Sequence, residues 1–267
     1  MSQTSLQGVT NWRGAFIFWV LLGVYGCAGD PFRGLRDTAV AREAPVPPSG
    51  SPRVDGYFRA ILHLQRWGVL GRRAREARLT GLTRVLEVRD DADLETLGRA
   101  LQARLSAAGR TVRVAEGGDR EAWDQALAAW RESLEADAAG DPSASPEARF
   151  LALQALLTVT LEPVEPGAPD PTLDQALALL AALLRESLLV DRLCTRMLAA
   201  PTVAASLRAR GEALAPERPA LEAEFRDARR FVDSVPARTG ALAQESRRVV
   251  RWAYLTLGAT RQAPAEP

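Results

Sequence analysis

TLDQALALLAALLRESLLVDRLC, residues Thr172 to Cys194, is the stretch on which the fold turns. Leucines at 177, 179, 180, 183, 184, 188, 189 and 193 recur at helical spacing and leave almost no polar face. A helix that is apolar nearly all round has to be enclosed by other elements. Thr172 with Gln175 three residues on has the form of a capping box, so the spacing predicts a long helix from there to about Ala199. A central buried helix implies a mostly α fold, and the rest of the chain supplies the covering elements.

Leu94, Leu97, Leu101 and Leu105 form a second helical stripe, stopped by Gly109. Trp123, Leu127, Trp130 and Leu134 form a third, with Asp119 as a candidate cap. Ser145-Pro146 opens a helix through Phe150, Leu151, Leu153, Leu156 and Leu157. Pro219 opens another with Leu221, Phe225, Ala228 and Val232, which Pro236 should end. A last helix is expected from Ala241 to Leu257, and a further one over residues 57–67. Leu82 to Arg89 and Thr111 to Val114 are ambiguous segments open to a strand reading, so the expectation is a helical bundle or helix-pair array with a minor two-stranded sheet at most. Pro-rich Glu162 to Pro171 reads as a surface loop.

The N-terminus has a different character. Arg13 precedes twelve uncharged, mostly apolar residues, Ala15 to Gly26, and no acid occurs before Asp30. A positive lead, a short apolar stretch and small residues at its end are the anatomy of an export signal. Twelve helical residues rise about 18 Å, short of the roughly 30 Å hydrocarbon core. Val24-Tyr25-Gly26-Cys27 resembles the lipobox of bacterial lipoproteins. That resemblance implies cleavage after Gly26, diacylation of Cys27 on sulfur and anchorage to a membrane. Ala28 in the next position implies the outer membrane. A plain secretory signal and an uncleaved anchor are the competing readings. Residues 27–52 read as a lipidated, proline-rich tether, 53–258 as the helix-rich domain and 259–267 as a disordered tail.

Composition excludes more chemistry than it suggests. The chain has 34 basic residues, all arginine, and 33 acids, so its near-neutral charge points to no nucleic-acid partner. Without lysine there is no Schiff-base, pyridoxal-phosphate, protein-kinase or P-loop chemistry. His63 is the only histidine, which disfavours a Ser-His-Asp machine and rules out multi-histidine metal sites. Two cysteines hold no iron–sulfur cluster, and no cofactor is implied. Cys194, in an apolar helical stretch, reads as a buried thiol. The charge is segregated, with nine arginines and three acids over 53–89 and nine acids and two arginines over 115–147. Two solvated faces that complement each other, or an arginine surface for phosphate headgroups or an acidic partner, both fit.

Leu94, Leu97-Gly98 and Leu101, followed by Trp123-Asp124-Gln125-Ala126-Leu127 and Trp130, Ser133, Leu134 and Asp137, resemble tetratricopeptide-type helical repeats. Leu173-Asp174-Gln175-Ala176-Leu177 repeats the phrase fifty residues later. The resemblance implies paired helices and a concave protein-binding surface. Three catalytic or ligand-binding features remain. Gln244-Glu245-Ser246 resembles the glutamate–serine pair of lytic transglycosylases, which implies carboxylate-dependent peptidoglycan cleavage by Glu245; the same pair occurs at Glu132-Ser133 and Glu186-Ser187. His63 reads as a helix-face or core residue, and Trp123 and Trp130 as core before sugar-stacking platform. The expectation is therefore a membrane-anchored, non-enzymatic interaction or scaffold lipoprotein with an envelope protein partner and no catalytic residue. A glycan-cleaving enzyme is the first alternative. A hydrophobic-ligand carrier lined by the leucines of 173–193 is the second.

Overall fold

The central leucines do form a helix, Pro171–Leu193. In the computed structural model the described residues are 49–258, apart from 90, 136–145, 166 and 199–200. The export segment, Cys27, the tether up to residue 48 and the tail from 259 lie outside the described residues. In chain order the described α-helices and strands are α1 Pro52–Val85, α2 Leu94–Ala107, β1 Thr111–Gly118, α3 Arg120–Glu135, α4 Pro146–Ala155, β2 Leu157–Glu165, α5 Pro171–Leu193, α6 Pro201–Leu214 and α7 Glu222–Thr256. The protein is mostly helical with a minor two-stranded antiparallel sheet.

The start of α5 differs from expectation. Its cap is Asp170, whose carboxylate accepts from the amides of Thr172 and Leu173 at 3.0 and 3.1 Å. Pro171 at the first helical position has no amide to leave unpaired, so the helix begins before the expected Thr172–Gln175 box. Leu173, Leu180, Leu183 and Leu184 have zero exposure, and α5 packs against α1 and α7. Its first turns sit in one core cluster with α2, the sheet and the end of α7. Its last turn joins a second cluster built on Tyr57, Trp67, Trp123, Trp130, Phe150 and Phe225.

Two expected breaks are bridged. Leu82 to Arg89 is not a strand, because α1 runs unbroken to Val85. Gly71, Ala74 and Leu82 continue the buried stripe of Val54, Tyr57, Ile61 and Leu64, and the arginines between them hid that period. Glu87, at φ 55°, takes the left-handed position that stops the helix. Pro236 does not end a helix either; it lies inside the 35-residue α7. A proline there removes one amide bond, but Val232, Val235, Leu242, Ala243, Val249 and Val250 stay buried on both sides of it. The continuous packing outweighs the lost bond. Thr239 Oγ1 donates to the carbonyls of Val235 and Pro236, at 2.8 and 3.0 Å, beside the break.

The expected strand at Thr111 is present, but its partner is β2. Leu157, which the spacing places in the preceding helix, and Glu162–Glu165, which read as loop, both belong to this strand. Thr158, Val159, Thr160 and Leu161 alternate exposed and half-buried, the period of a strand with one face on a core. The register runs from Thr111 opposite Glu165 to Gly118 opposite Leu157, with a shift that leaves Val164 extra. Helix α6 carries no strong periodic signal and has no counterpart among the elements expected from the sequence. It is held by Val203, Leu207 and Leu214, and by Gly211, where a Cβ would lie 2.5 Å from the Tyr57 hydroxyl.

The helices that carry the tetratricopeptide likeness take different partners. Leu97 and Leu101 of α2 belong to the cluster with α5 and the end of α7, and a Cβ on Gly98 would meet Trp252 and Thr256 at 2.9 Å. Trp123, Leu127 and Trp130 of α3 belong to the other cluster.

Candidate functional site

The first and last helices of the domain, α1 and α7, leave a groove of about 700 Å³ between them. Its floor is apolar: Leu64 and Trp67 from α1, and Phe231, Val235 and Leu242 from α7. The period of each helix explains the placement, since 231, 235 and 242 lie within one face of α7 and 64 and 67 are one turn apart on α1. Trp67, Val235 and Leu242 are almost fully buried and Phe231 half-buried. The Trp67 indole Nε1 has no hydrogen-bond partner among the described residues.

Arginines rim this floor. Arg72 borders it from α1, and Arg230 and Arg238 from α7. The Arg238 guanidinium lies 5.5 Å from the centre of the Phe231 ring, a cation–π approach that holds it over the groove. Arg230 sits 3.6 Å from Asp227, both about three-quarters exposed, so that ion pair is weak.

Glu245, the sequence-derived acid, stands at one end of the groove. Its carboxylate is tied to Arg75 Nη2 at 2.6 Å, and its side chain is 56% exposed. It also borders a second cleft of about 540 Å³, between α1, α7 and the start of α2. Ser246, its companion in the glutamate–serine likeness, is fully buried and donates to the Leu242 carbonyl at 2.9 Å, so the pair does not face one site. Asp227, the other acid on the groove, is eighteen residues away on the same helix. That is about 27 Å of rise, well beyond the roughly 5–9.5 Å between paired glycosidase carboxyls.

The buried acid is a different one. Glu186, part of a glutamate–serine pair that looked incidental, is 1% exposed among the leucines of α5. Its Oε1 accepts from Arg78 Nε at 3.0 Å and from Gln154 Nε2 at 3.4 Å, while Oε2 has no partner among the described residues. Burial pushes its carboxyl above the ordinary value, against the lowering influence of the Arg78 guanidinium. The available signal was an acid on the buried side of a leucine-rich helix. Neither cleft includes it, so it links α1, α4 and α5 within the fold.

Of the other sequence candidates, all but His63 fall in the interior. Trp123 and Trp130 are 2% exposed, as core residues. His63 lies half-buried on α1. Cys194 is a buried free thiol, and burial pushes it up to about 12. Leu180 and Leu184, with zero exposure, have no room beside them even for water, so the α5 leucines line no cavity there. Five of the segregated charges form ion pairs outside the two segments. Arg53, Arg75 and Arg78 pair with Glu217, Glu245 and Glu186, whereas Glu116 and Asp124 pair with Arg192 and Arg196. Among the described residues no cluster of three His, Cys, Asp or Glu is placed to hold a metal ion. No described helix is long and apolar enough to cross a membrane.

Fold and groove together define a helical bundle with an apolar, arginine-rimmed trough between its terminal helices. No family model, curated protein or solved structure matches the chain.

Proposed function

We propose that the chain is a bacterial envelope lipoprotein, held at the outer membrane through acylated Cys27, whose helical domain docks a partner protein in the α1–α7 groove. The observation that carries the reading is the groove itself: an apolar floor of Leu64, Trp67, Phe231, Val235 and Leu242 under an arginine rim. Interface cores combine buried aromatics with arginine in this way. Glu245, engaged by Arg75, supports docking over glycan cleavage. The lipobox-like Val24-Tyr25-Gly26-Cys27 supports the anchor.

Photo-cross-linking in intact cells tests the docking. A photoreactive residue at Ala241, exposed on the groove, should capture a discrete envelope protein. The same residue at Thr160, exposed on β2, should not. Equal capture at both positions, or none at Ala241, removes the reading. The anchor is tested separately, by mass spectrometry of the native N-terminus: an intact Met1 and an unmodified Cys27 would dismiss it.

A further inference from the structure

The geometry points to an acidic amphipathic helix as the segment that fills this groove, a partner chemistry that rests on the docking reading above. Three features select it. Both walls are α-helices, whose backbone amides and carbonyls are paired within α1 and α7 apart from the one bond that Pro236 removes. An extended peptide laid between them would find no ladder to join, whereas a helix satisfies its own backbone. Along α7 the groove runs from Asp227 to Glu245, eighteen residues, or about 27 Å. That length accommodates about five turns of a docked helix, with apolar side chains on Trp67, Phe231, Val235 and Leu242.

Charge fixes the flanks. Arg230 and Arg238 stand eight residues apart on one wall, about 12 Å, with Arg72 on the other. The carboxylates on the same rim are already engaged, Glu245 by Arg75 and Asp227 by Arg230. The second of these pairs is exposed, so a partner carboxylate competes for Arg230 at little loss. At the floor, the Trp67 indole N–H is 98% buried with the rest of its residue and has no acceptor among the described residues. An acceptor on the incoming helix, a carboxylate or a side-chain carbonyl, would complete it. Cationic rim and orphan donor both ask for an electron-rich partner surface.

The test extends the cross-linking from Ala241. The captured segment is sequenced by mass spectrometry, and capture is compared among the wild-type chain, Arg230→Glu with Arg238→Glu, and Arg230→Lys with Arg238→Lys. Both arginines are exposed, so the variants should fold, which circular dichroism checks. The expected result is an acidic segment with apolar residues at helical spacing. Its capture should fall about tenfold or more with glutamate and persist with lysine, because steering and pairing depend on the sign of charge. The segment is then synthesised and titrated against the purified protein. Replacing Trp67 with 3-(3-benzothienyl)alanine, which keeps the bicyclic ring and carries no N–H, should weaken it about 3- to 10-fold. A captured segment that is basic or strand-forming, capture indifferent to charge reversal, or an adduct to lipid overturns the inference. A protein caught in the groove but insensitive to charge leaves docking standing and sinks only the acidic helix, while an empty Ala241 probe sinks both.

Discussion

Arg78→Met isolates an ion pair whose acid is fully enclosed in the interior of the bundle, Arg78–Glu186. Arg78 is 12% exposed at its side chain and Glu186 1%, so methionine fills the stem of the arginine and leaves a buried carboxylate without its counter-charge. Breaking such a pair from one side costs about 3–5 kcal/mol. A domain of this size has only about 5–15 kcal/mol in total, so the loss is a large fraction of it. The carboxyl can escape the penalty by keeping its proton. Burial already raises it above its ordinary value of 4.5, and Arg78 is the first influence pulling it back down. A raised folded-state value means that stability is fully present below the unfolded-state value and is lost as pH rises through the folded one. Urea denaturation of the purified variant should therefore show a deficit that is smaller near pH 4.5 and grows as the pH is raised to 8. Arg78→Met with Glu186→Leu should recover most of the loss at pH 8, since a buried pair replaced by apolar groups of similar volume is close to neutral. A single-variant deficit under about 1 kcal/mol, the same at both pH values, would show that the pair is hydrated and that this account of Glu186 is wrong.

Two glycines of similar sequence context should respond with opposite sign. Gly211→Ala drives a methyl to 2.5 Å from the hydroxyl of Tyr57, a ring fixed between Phe58 and Phe225, and should cost about 1–3 kcal/mol in a urea melt. Gly240→Ala meets nothing within 4 Å on an exposed face of α7 and should gain about 0.5–1 kcal/mol; a gain at Gly211 would contradict the α1–α6 contact. Cys194, buried and pushed up to about 12, should resist thiol reagents in the native protein and react at the rate of unfolding. Rapid native labelling at pH 8 would place it near the surface.

Periodicity was a good guide wherever one face of an element meets the core. The leucines of α5 and α2 and the tryptophans of α3 mark helices in the right places, and the absence of lysine and the single histidine limit the chemistry by composition alone. It failed where tertiary packing overrode a local signal. Pro236 reads as a terminator, yet α7 passes through it because both sides are buried against the same neighbours. Leu157 reads as helix and Glu162 to Glu165 as loop, because β2 is a strand only by virtue of pairing with β1 forty-six residues earlier.

The amino-acid order alone settled that this chain builds a helical interior around residues 173–193, since a segment apolar on all sides has no stable exposed state. It also contained every residue of the groove, but not the groove. Trp67 and Phe231 stand 164 residues apart in the chain, and their shared trough exists only because the first and last helices lie side by side along α5. The same holds for Glu186, where charge is tolerated in the core only because Arg78, 108 residues earlier, arrives to meet it. Long-range juxtaposition is set by the packing of whole helices, and no local pattern encodes which faces will meet.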